Sequence, residues 1–246
     1  MTGDSNELAA QSWVNSAAAY IAFQDAGDTN RTVLLDPVSL DLCGDVLGQR
    51  ALDLGCGEGR FCRMLAERGA SVTGIDVIAE MAQTARARGS AHDAYTLASA
   101  DKLPFTDATF DLAVSYVTLV DIVEYASAIR EAARVLRPGG RFVVANLNFV
   151  TASSGWQRDA DGNRLYHRVD RYADEFPQVL EWAGMRIVNW HRPLANYMQA
   201  FLGAGLILRD FLTPVPEDQS LRDDPQTEDW FRVPLFNVMR WEKPAT

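Results

Sequence analysis

Basic residues are in the minority in this chain, which limits the partners it can bind. Lysine and arginine together number 23 against 33 aspartates and glutamates, so the formal net charge is −10. A nucleic-acid backbone is bound by clustered cations that displace its counterions. The composition therefore argues against a nucleic-acid partner, although a local basic patch would still be compatible with it.

Cysteine and histidine are also rare, which bears on metal binding and on the cellular compartment. The three cysteines, Cys43, Cys56 and Cys62, form no Cys-x-x-Cys pair, and no cluster of histidines lies near them in the sequence. A structural zinc site needs four such ligands, and no group of carboxylates has the spacing of a divalent-cation site. We therefore predict no bound metal, and free thiols in a reducing compartment.

Neither a secretion signal nor a membrane-spanning segment is found in the sequence. The N-terminal residues MTGDSNELAAQS contain no basic stretch followed by an apolar run. The longest apolar run, residues 201–208, includes two glycines and is far shorter than the ~20 residues that cross a bilayer. We expect a cytoplasmic protein that does not enter the membrane.

Short apolar runs alternate with longer helical patterns between about residues 50 and 147. The run at 110–117 is apolar at nearly every position, as in a strand buried on both faces of a parallel sheet. A helix is predicted after it, because Asp121 and Glu124 have the spacing of a capping box and an apolar face follows. Arg137-Pro138-Gly139-Gly140 ends that helix. Further strands are predicted at 51–54, 71–75, 95–98 and 141–147. This alternation predicts a parallel sheet with helices on both faces.

The regions on either side of this block have other patterns. An Ala-rich helix is predicted over residues 5–24, and a hairpin over 151–172 with Asp161-Gly162 at its turn. The remaining elements predicted are helices near 174–183 and 193–204, strands near 205–212 and 231–240, and an acidic, proline-containing loop between those two strands.

The most informative segment is LDLGCGEGR, residues 52–60. Here a predicted strand ends in a glycine-rich turn, which lets a ligand lie against bare main chain. Arg60 stands where a dinucleotide fingerprint needs a small residue, and no Gly-Lys-Ser/Thr follows as in a P-loop. Asp76 ends the next predicted strand, where a carboxylate can accept hydrogen bonds from both hydroxyls of a ribose. The pattern indicates a nucleoside-binding site.

Four segments in order extend this pattern between about residues 50 and 148: LDLGCGEGR, GIDVI, ASADKLPFTDATFDLAVS and EAARVLRPGGRFVVANL. On these segments the chain resembles the class I S-adenosylmethionine-dependent methyltransferases. The segment HRPLANYMQAFLGAGL is similar to an element of small-molecule methyltransferases, with Ala204-Gly205-Leu206 in place of the usual Ala-Gly-Phe. The resemblance implies an α/β, Rossmann-like methyltransferase fold: a doubly wound, mostly parallel seven-stranded sheet with helices on both faces and an inserted hairpin or cap region.

The resemblance also implies a single methyltransferase domain over residues 1–246. Within it we expect an N-terminal lid helix at 1–30 and a cofactor-binding core at 36–148. An inserted cap segment at 151–192 and a C-terminal helix with antiparallel strands at 193–246 complete the predicted organisation.

The cofactor that the resemblance implies is S-adenosylmethionine. Asp76 is expected to hold its ribose, and Asp101 to accept a hydrogen bond from the adenine amine, with the main-chain N–H of Lys102 near the ring. The main chain of Ser115, and Tyr20 as a lid contact, are expected at the methionine end. The full set of cofactor-binding residues implied is Tyr20, Asp53, Gly55, Gly57, Gly59, Asp76, Val77, Ile78, Asp101, Lys102 and Ser115.

The acceptor of the methyl group is expected to be a small molecule. After the fourth strand the chain reads Ser115-Tyr116-Val117-Thr118, which differs from the Asn/Asp-Pro-Pro-Tyr element of enzymes that methylate DNA bases or protein glutamine. An aromatic or otherwise apolar acceptor fits the pocket lining that we predict. That lining consists of Trp13, Tyr116, Trp156, Tyr166, His191 and Tyr197.

Two histidines are the candidates for a general base. His191 follows an apolar strand, and His167 lies in the predicted hairpin; an imidazole titrates near neutrality and can accept a proton there. For each of them a hydrogen-bonded structural role is the alternative.

Three functions are compatible with these observations. The first is in-line methyl transfer from S-adenosylmethionine to O, N or C of a small molecule, in which positioning alone can supply about 7–11 kcal/mol. The second is a protein of the same fold that binds the cofactor without methylating, because fold does not fix function. The third is an RNA or protein methyltransferase. The sequence gives no indication of the oligomeric state.

Overall fold

The computed structural model describes residues 2–148, 152–223 and 227–245 of the chain. The strands are β1 (Arg50–Leu54), β2 (Ser71–Asp76), β3 (Asp93–Leu97), β4 (Phe110–Tyr116), β5 (Leu136–Leu147), β6 (Ser153–Arg158), β7 (Arg164–Val169), β8 (Phe176–Trp182), β9 (Met185–His191), β10 (Ile207–Leu212) and β11 (Phe236–Glu242). The α-helices are α1 (Thr2–Ala26), α2 (Asp36–Cys43), α3 (Arg60–Ala66), α4 (Ala79–Arg88), α5 (Tyr125–Val135), α6 (Leu194–Gly203) and α7 (Glu228–Arg232). A π-helical turn at Asn30–Leu35 precedes α2, and a 3-10 turn lies at Gln219–Asp223.

Seven strands form one sheet in the order β10-β11-β5-β4-β1-β2-β3. Neighbouring strands run parallel from β5 to β3, while β11 is antiparallel to both of its neighbours. Asp53 in the middle of the sheet pairs with Gly74 of β2 on one side and Val114 of β4 on the other. The predicted seven-stranded, mostly parallel sheet is confirmed.

The helices cover both faces of this sheet, because its central strands are apolar on both sides. Every residue of β4 is buried, and alternate side chains of that strand enter different cores. Leu112 and Val114 pack with Leu35, Phe61 and their neighbours. Ala113 packs on the other face, in the core that contains Ile129 of α5 and Phe201 of α6.

The winding of the chain reverses between β1 and β4. The chain continues outward from β1 through β2 to β3, and then returns to β4 on the other side of β1. In open α/β sheets the crevice above the carboxyl ends of the strands at such a reversal is the usual ligand site. A ligand site is therefore expected between the segments that follow β1 and β4.

Two hairpins follow the last parallel strand. The predicted hairpin is present as β6 and β7, and Gly162 at its turn has a φ of +87°; Thr151, at the edge of the predicted segment, lies outside the described residues. The helix predicted near 174–183 is wrong, because this stretch is strand β8, which pairs with β9 from Phe176 opposite His191 to Trp182 opposite Met185.

The start of α5 also differs from the prediction. The helix begins at Tyr125, after an N-cap at Glu124 that makes no side-chain capping bond, so the predicted capping box is wrong. Asp121 lies before the helix, and its carboxylate accepts a hydrogen bond from the Asn189 amide at the end of β9. A tertiary contact has replaced the local cap.

The C-terminal region is closer to the prediction. Strands β10 and β11 pair antiparallel, but the first residues of the predicted strand at 231–240 belong to α7 and to a turn. The acidic loop between the strands contains a 3-10 turn and the start of α7; its residues 224–226 lie outside the described ranges.

Helix α1 packs against the free edge of β9 through two serine hydroxyls. The Ser16 hydroxyl donates to the carbonyl of Arg186 and accepts from its N–H, and the Ser12 hydroxyl accepts from the N–H of Val188. Four helical residues rise about 6 Å, close to the span of two strand residues, so the hydroxyls match the spacing of the strand's main-chain groups. The helix thereby satisfies a strand edge that would otherwise be open.

Candidate functional site

The glycine-rich turn follows β1 at the point where the sheet winding reverses. Gly55, Gly57 and Gly59 all have positive φ angles, of +68°, +55° and +84°. A β-carbon at Gly55 would lie 2.1 Å from Cγ2 of Thr118, which follows β4. Only glycine therefore lets the β1 turn approach the end of β4 so closely.

Asp76 ends β2 and connects this turn to the next helix. One carboxylate oxygen accepts a hydrogen bond from the N–H of Gly57 at 2.9 Å, and the other accepts from the N–H of Ile78 at 2.8 Å. Burial raises the pKa of Asp76, and the main-chain hydrogen bonds from Ile78 and Gly57 oppose that shift. The carboxylate holds the turn and the start of α4 in place, at the edge of a cavity.

This cavity, which we call the glycine-loop cavity, has a volume of about 320 Å³, within the range of small-molecule sites. Of the predicted cofactor-binding residues it is lined by Tyr20, Gly55, Gly57, Asp76, Val77, Ile78 and Asp101. Asp101 follows β3 and accepts a hydrogen bond from the Ser99 hydroxyl. The structure thus brings together seven residues that the sequence placed at four separate segments.

Asp53 lies beneath the turn, next to the glycine-loop cavity. It lines a smaller adjoining space together with Tyr20 and Gly55. Its Oδ2 accepts a hydrogen bond from the Cys62 thiol at 3.2 Å, while Oδ1 has no hydrogen-bond partner among the described residues. Burial raises the pKa of Asp53 to about 7, against the opposing effect of the Cys62 hydrogen bond.

Three predicted cofactor residues do not line either of these spaces. A β-carbon at Gly59 would meet the ring of Tyr95, so this glycine permits close packing at the start of α3. The main-chain N–H of Lys102 donates to the carbonyl of Ser99, and is therefore not directed at a ligand. Ser115 is fully buried within β4. The residues just after it, from Tyr116 to Thr118, reach the cavity instead.

Val117, between β4 and Thr118, has a strained main chain. Its φ is +61°, which is rare for a β-branched residue and costs on the order of 1–3 kcal/mol. Strain of this kind is concentrated at functional sites. Val117 lines both the glycine-loop cavity and a neighbouring one.

The neighbouring cavity, which we call the α1 cavity, has a volume of about 310 Å³. Five residues line both cavities and form the wall between them: Trp13, Tyr20, Arg31, Val117 and Asp121. The far side of the α1 cavity is mainly apolar, with side chains from β8, β9 and the start of β11. Those side chains include Leu180, Trp182, Ile187 and Phe236.

Arg31 is a site residue that the sequence did not reveal. It lies in the π-helical turn, its Nε donates to Asp28 at 3.1 Å, and its guanidinium lies 4.8 Å from the ring centroid of Tyr116 and 5.8 Å from that of Tyr20. It lines both cavities and the space beneath the turn. A single arginine outside the recognisable segments carries no pattern in the sequence that would have singled it out.

Asp121 is the second site residue that was missed, since its spacing to Glu124 suggested a helix cap. Its side chain lines both cavities. Burial raises the pKa of Asp121 to about 7, and nearby Asp76 acts in the same direction. Trp13, Asn189 and Arg192 oppose the shift.

Arg192 holds the segment that carries Asp121. Its guanidinium is buried and donates to the carbonyls of Leu119, Ile122 and Val123, at 3.0, 2.7 and 3.2 Å. The N–H of Trp190 donates to the carbonyl of Val120 at 2.8 Å. Trp190 and Arg192, at the end of β9 and just after it, therefore hold the segment between β4 and α5 in place. This is a structural role for the HRPL sequence, residues 191–194.

The two predicted catalytic histidines lie away from both cavities. The side chain of His191 is fully buried, its Nε2 hydrogen bonds to the carbonyl of Tyr172, and its ring packs against Phe176. His167 hydrogen bonds to Ser153 through Nδ1 and packs edge-on against Trp156. Neither position supports the predicted catalytic role. The hydrogen bonds and ring contacts of both histidines fit the alternative hypothesis, a structural role.

The predicted aromatic pocket lining is correct only in part. Trp13 lines both cavities, and Tyr116 lines the glycine-loop cavity. Trp156 and Tyr166 lie on a shallow surface depression formed by the β6–β7 hairpin. Tyr197 is buried in the core against Tyr125 and Arg192. Of the two hairpins in the predicted cap segment at 151–192, β8–β9 contributes side chains to the α1 cavity.

The described residues hold no group of three or more histidine, cysteine, aspartate or glutamate side chains placed to bind a metal ion. None of the helices in the described ranges is both long and apolar enough to cross a bilayer. The thiols of Cys43, Cys56 and Cys62 are all free.

Comparison with known proteins identifies the family. A methyltransferase-domain family model matches residues 52–144. The crystal structure of an S-adenosylmethionine-dependent methyltransferase from Mesorhizobium loti superposes with a TM-score of 0.77 at 30% identity, and the match covers 89% of this chain and 99% of that one. The chain belongs to the class I S-adenosylmethionine-dependent methyltransferases. The predicted family and its Rossmann-like fold are confirmed.

Two curated methyltransferases also match the chain over part of their length. An O-methyltransferase, resE, from Aspergillus sclerotiorum is 42% identical over 165 residues, which are 62% of each chain. The 27-O-demethylrifamycin SV methyltransferase of Amycolatopsis mediterranei is 35% identical over 120 residues, 46% of this chain and 44% of that enzyme. The chain thus spans about half of the length of the curated relatives that it matches.

The cofactor of this methyltransferase family is S-adenosylmethionine, and the residues around the glycine-loop cavity fit it. Two main-chain N–H groups hold the carboxylate of Asp76 in position. A carboxylate at the end of this strand is what a ribose site requires. The buried Oδ1 of Asp53 lacks a partner in the described part of the chain, and is suited to a cationic group. A β-carbon at Gly55 would collide with Thr118, which lines the same cavity.

Proposed function

We infer that this methyltransferase transfers the methyl group of S-adenosylmethionine to O, N or C of a small molecule. The cofactor would lie in the glycine-loop cavity and the acceptor in the α1 cavity. The observation that carries this proposal is the shared wall of five residues, because a methyl donor and its acceptor must meet across one boundary. The cofactor supplies an electrophilic methyl group on a sulfonium.

The residues assigned to the cofactor follow from their charges and positions. Asp76 would bind the two ribose hydroxyls, and Asp101, at the other side of the cavity, the adenine amine. Asp53, beneath the turn, would interact with the ammonium of the methionine part, and Arg31 with its carboxylate, since arginine binds carboxylates with parallel hydrogen bonds. Tyr20 covers the same end of the cavity.

The protein's contribution to the reaction would be positioning and exclusion of water. The wall residues Trp13 and Tyr20 pack edge-to-face with ring centroids 5.4 Å apart, which gives the boundary a rigid aromatic part. Holding two reactants aligned supplies a large part of the rate enhancement of a displacement reaction. We propose that α1 and the β8–β9 hairpin act as the cover of the acceptor.

Small molecules are favoured over nucleic acid as acceptors. Apolar side chains form much of the lining of the α1 cavity, and the net charge of −10 opposes binding of a phosphate backbone. The resE relative is named an O-methyltransferase, and the Amycolatopsis enzyme is named for 27-O-demethylrifamycin SV. Both names support small-molecule methylation here. The three free thiols support a cytoplasmic location.

The proposal is tested by calorimetric titration with S-adenosylhomocysteine. We expect saturable binding to the wild-type chain, and binding at least ~100-fold weaker in Asp76→Ala, because a carboxylate that accepts two ligand hydroxyls is lost. Asp161→Ala, in the exposed turn between β6 and β7, serves as the control and should bind like wild type. Absence of binding to the wild-type chain, or equal binding by Asp76→Ala, would refute the cofactor assignment. A radiolabelled methyl-transfer assay over a metabolite panel then tests the activity itself.

A further inference from the structure

The α1 cavity contains one carboxylate that is not committed to an ion pair. Two aspartates line it: Asp28, which pairs with Arg31 at 3.1 Å, and Asp121. Asp121 also lines the glycine-loop cavity, so its carboxyl group lies at the boundary across which the methyl group would pass. The rest of the acceptor side is mainly apolar.

The position of Asp121 is fixed from three directions. Its main-chain N–H donates to the carbonyl of Thr118 at 2.9 Å. Nδ2 of Asn189 donates to Oδ1 of its carboxylate. Arg192 holds the carbonyls on both sides of it. Trp13 also acts on this carboxyl group as a hydrogen-bond donor. Since a carboxylate has about four acceptor sites, Oδ2 can still accept a hydrogen bond from a ligand.

We propose that Asp121, oriented by Asn189, binds the hydroxyl of the acceptor and takes its proton during methyl transfer, so that the acceptor is an apolar molecule bearing a hydroxyl group. This inference rests on the proposed function, since it assigns the chemistry of the acceptor in the α1 cavity. With this assignment Asp121 takes the role of general base that the sequence had suggested for His167 and His191.

The step balances with this one group. The acceptor oxygen forms the bond to the methyl carbon while the carbon–sulfur bond breaks and the sulfur keeps its electron pair. The hydroxyl proton passes to Oδ2 of Asp121. The products are the methyl ether, the neutral thioether and a protonated Asp121, which returns its proton to water once the cavity opens.

The surroundings of Asp121 suit a hydroxyl donor. Arg31 lines the same cavity but is paired with Asp28 at 3.1 Å, so the carboxyl group of Asp121 is left to accept a hydrogen bond from a hydroxyl group of the acceptor. Burial places the pKa of Asp121 at about 7, with Asp76 raising it and Trp13, Asn189 and Arg192 lowering it. A carboxyl group of that pKa is suited to act as a general base near neutral pH.

The experiment uses equilibrium dialysis of the full chain with 2-naphthol, and with naphthalene as the probe that lacks the hydroxyl. At pH 8 we expect the dissociation constant for 2-naphthol to rise about tenfold in Asp121→Asn, since a hydrogen bond to a charged group is lost. The constant for naphthalene should stay within about twofold. Asp161→Asn is the matched control and should behave as wild type toward both probes.

The pH dependence gives an independent measurement. In the wild-type chain, binding of 2-naphthol should tighten by about tenfold between pH 5.5 and pH 8, because the carboxylate of Asp121 forms through pH ~7 and accepts the stronger bond. In Asp121→Asn the constant should not change over this range. Asn189→Ala, which leaves the carboxyl group but removes its support, should weaken 2-naphthol binding by about threefold.

Titration of the same variants with S-adenosylhomocysteine separates this inference from the proposed function. Unchanged cofactor-product binding shows that Asp121→Asn is folded. Equal 2-naphthol binding by wild type and Asp121→Asn, or no binding of 2-naphthol to the wild type, would overturn the assignment of Asp121 while the cofactor site stands. Tighter binding of 2-(aminomethyl)naphthalene than of 2-naphthol would overturn the hydroxyl class of acceptor.

Discussion

Gly55 connects the two strand ends that form the floor of the site. The turn after β1 reaches the end of β4 so closely that a β-carbon would lie 2.1 Å from the Thr118 methyl carbon, and the Thr118 hydroxyl donates to the Gly55 carbonyl. Two separate effects therefore favour glycine here: the positive φ angle and the lack of space. A double substitution can separate them.

We expect Gly55→Ala to lower the free energy of unfolding by about 2–4 kcal/mol, as the sum of a strained main chain and an overpacked contact. Thr118→Ser removes the clashing methyl group and keeps the hydroxyl. In that background Gly55→Ala should cost at least ~1 kcal/mol less, measured by urea unfolding as a double-mutant cycle. The same cost in both backgrounds would show that the contact with Thr118 plays no part.

The residues of the site differ in how far the sequence could predict them. Gly55, Gly57, Asp76 and Asp101 follow strand ends at spacings set by the fold, and all four line the predicted cavity. Arg31 and Asp121 come from segments with no such spacing. Their positions depend on how α1, β9 and the segment after β4 pack, which is a tertiary effect with no local sequence pattern.

The histidines were misplaced for a different reason. The suitability of imidazole as a base says nothing about where the side chain points. His191 ends β9 and turns into a pocket formed by Tyr172 and Phe176. Its direction follows from the pairing of β9 with β8, and the sequence was interpreted as a helix in that region.

At the scale of elements, the contact between α1 and β9 holds together two of the elements that line the α1 cavity. The Ser16 side chain is 3% exposed and bonds both main-chain groups of Arg186. The helix thus replaces a neighbouring strand at the edge of β9. Its loss would leave buried main-chain groups without partners.

Ser16→Ala should lower the free energy of unfolding by about 1–3 kcal/mol, because the N–H and carbonyl of Arg186 lose their partner in a buried setting. Gln11→Ala, an exposed position on the same helix that bonds only Asn15, should change it by less than about 0.5 kcal/mol. Urea denaturation measures both. If Ser16→Ala cost no more than Gln11→Ala, the serine contacts would not hold the helix to the strand.

The strand β8 illustrates the limit of periodicity for short segments. Phe176, Val179 and Leu180 have helical spacing, but their exposure alternates along the chain as in a strand. A short apolar run is compatible with either element, and the decision falls to pairing with a partner distant in space. The sequence was sufficient to predict the element at β1, which ends in a glycine-rich turn, and at β4, which is apolar at nearly every position.

For the whole molecule, two buried carboxyl groups make stability depend on pH. Burial raises the pKa of both Asp53 and Asp121 to about 7, whereas in the unfolded chain an aspartate titrates near pH ~3.9. The folded state therefore binds more protons than the unfolded state between these values. The free energy of unfolding accordingly falls as the pH rises from about 4 to about 7.

In the absence of cofactor, we expect the free energy of unfolding to be lower at pH 8 than at pH 5, by on the order of 2 kcal/mol for each of the two groups. Asp53→Asn should remove its own share of this decrease, on the order of 2 kcal/mol, while Asp121 and Asp76, whose pKa burial also raises, supply the rest. Asp161→Asn, at an exposed turn, should keep all of it. Chemical denaturation at the two pH values is the measurement, and an equal decrease in wild type and Asp53→Asn would contradict the role of Asp53.

The order of the parallel strands was within reach of the sequence because helices α3, α4 and α5 follow β1, β2 and β4, and right-handed crossovers leave few arrangements. The order of the last three strands was not, since it depends on β11 inserting between β5 and β10. That insertion places the segment before β11 beside the α1 cavity.

Helix α1 contributes Trp13 and Tyr20, two turns apart on one face, to the boundary of both cavities. A rigid helix cannot uncover one of these spaces while it keeps the other closed. Under the proposed function, departure of the methylated compound and departure of the spent donor would both require movement of the N-terminal helix away from β9, so the two departures would share one step.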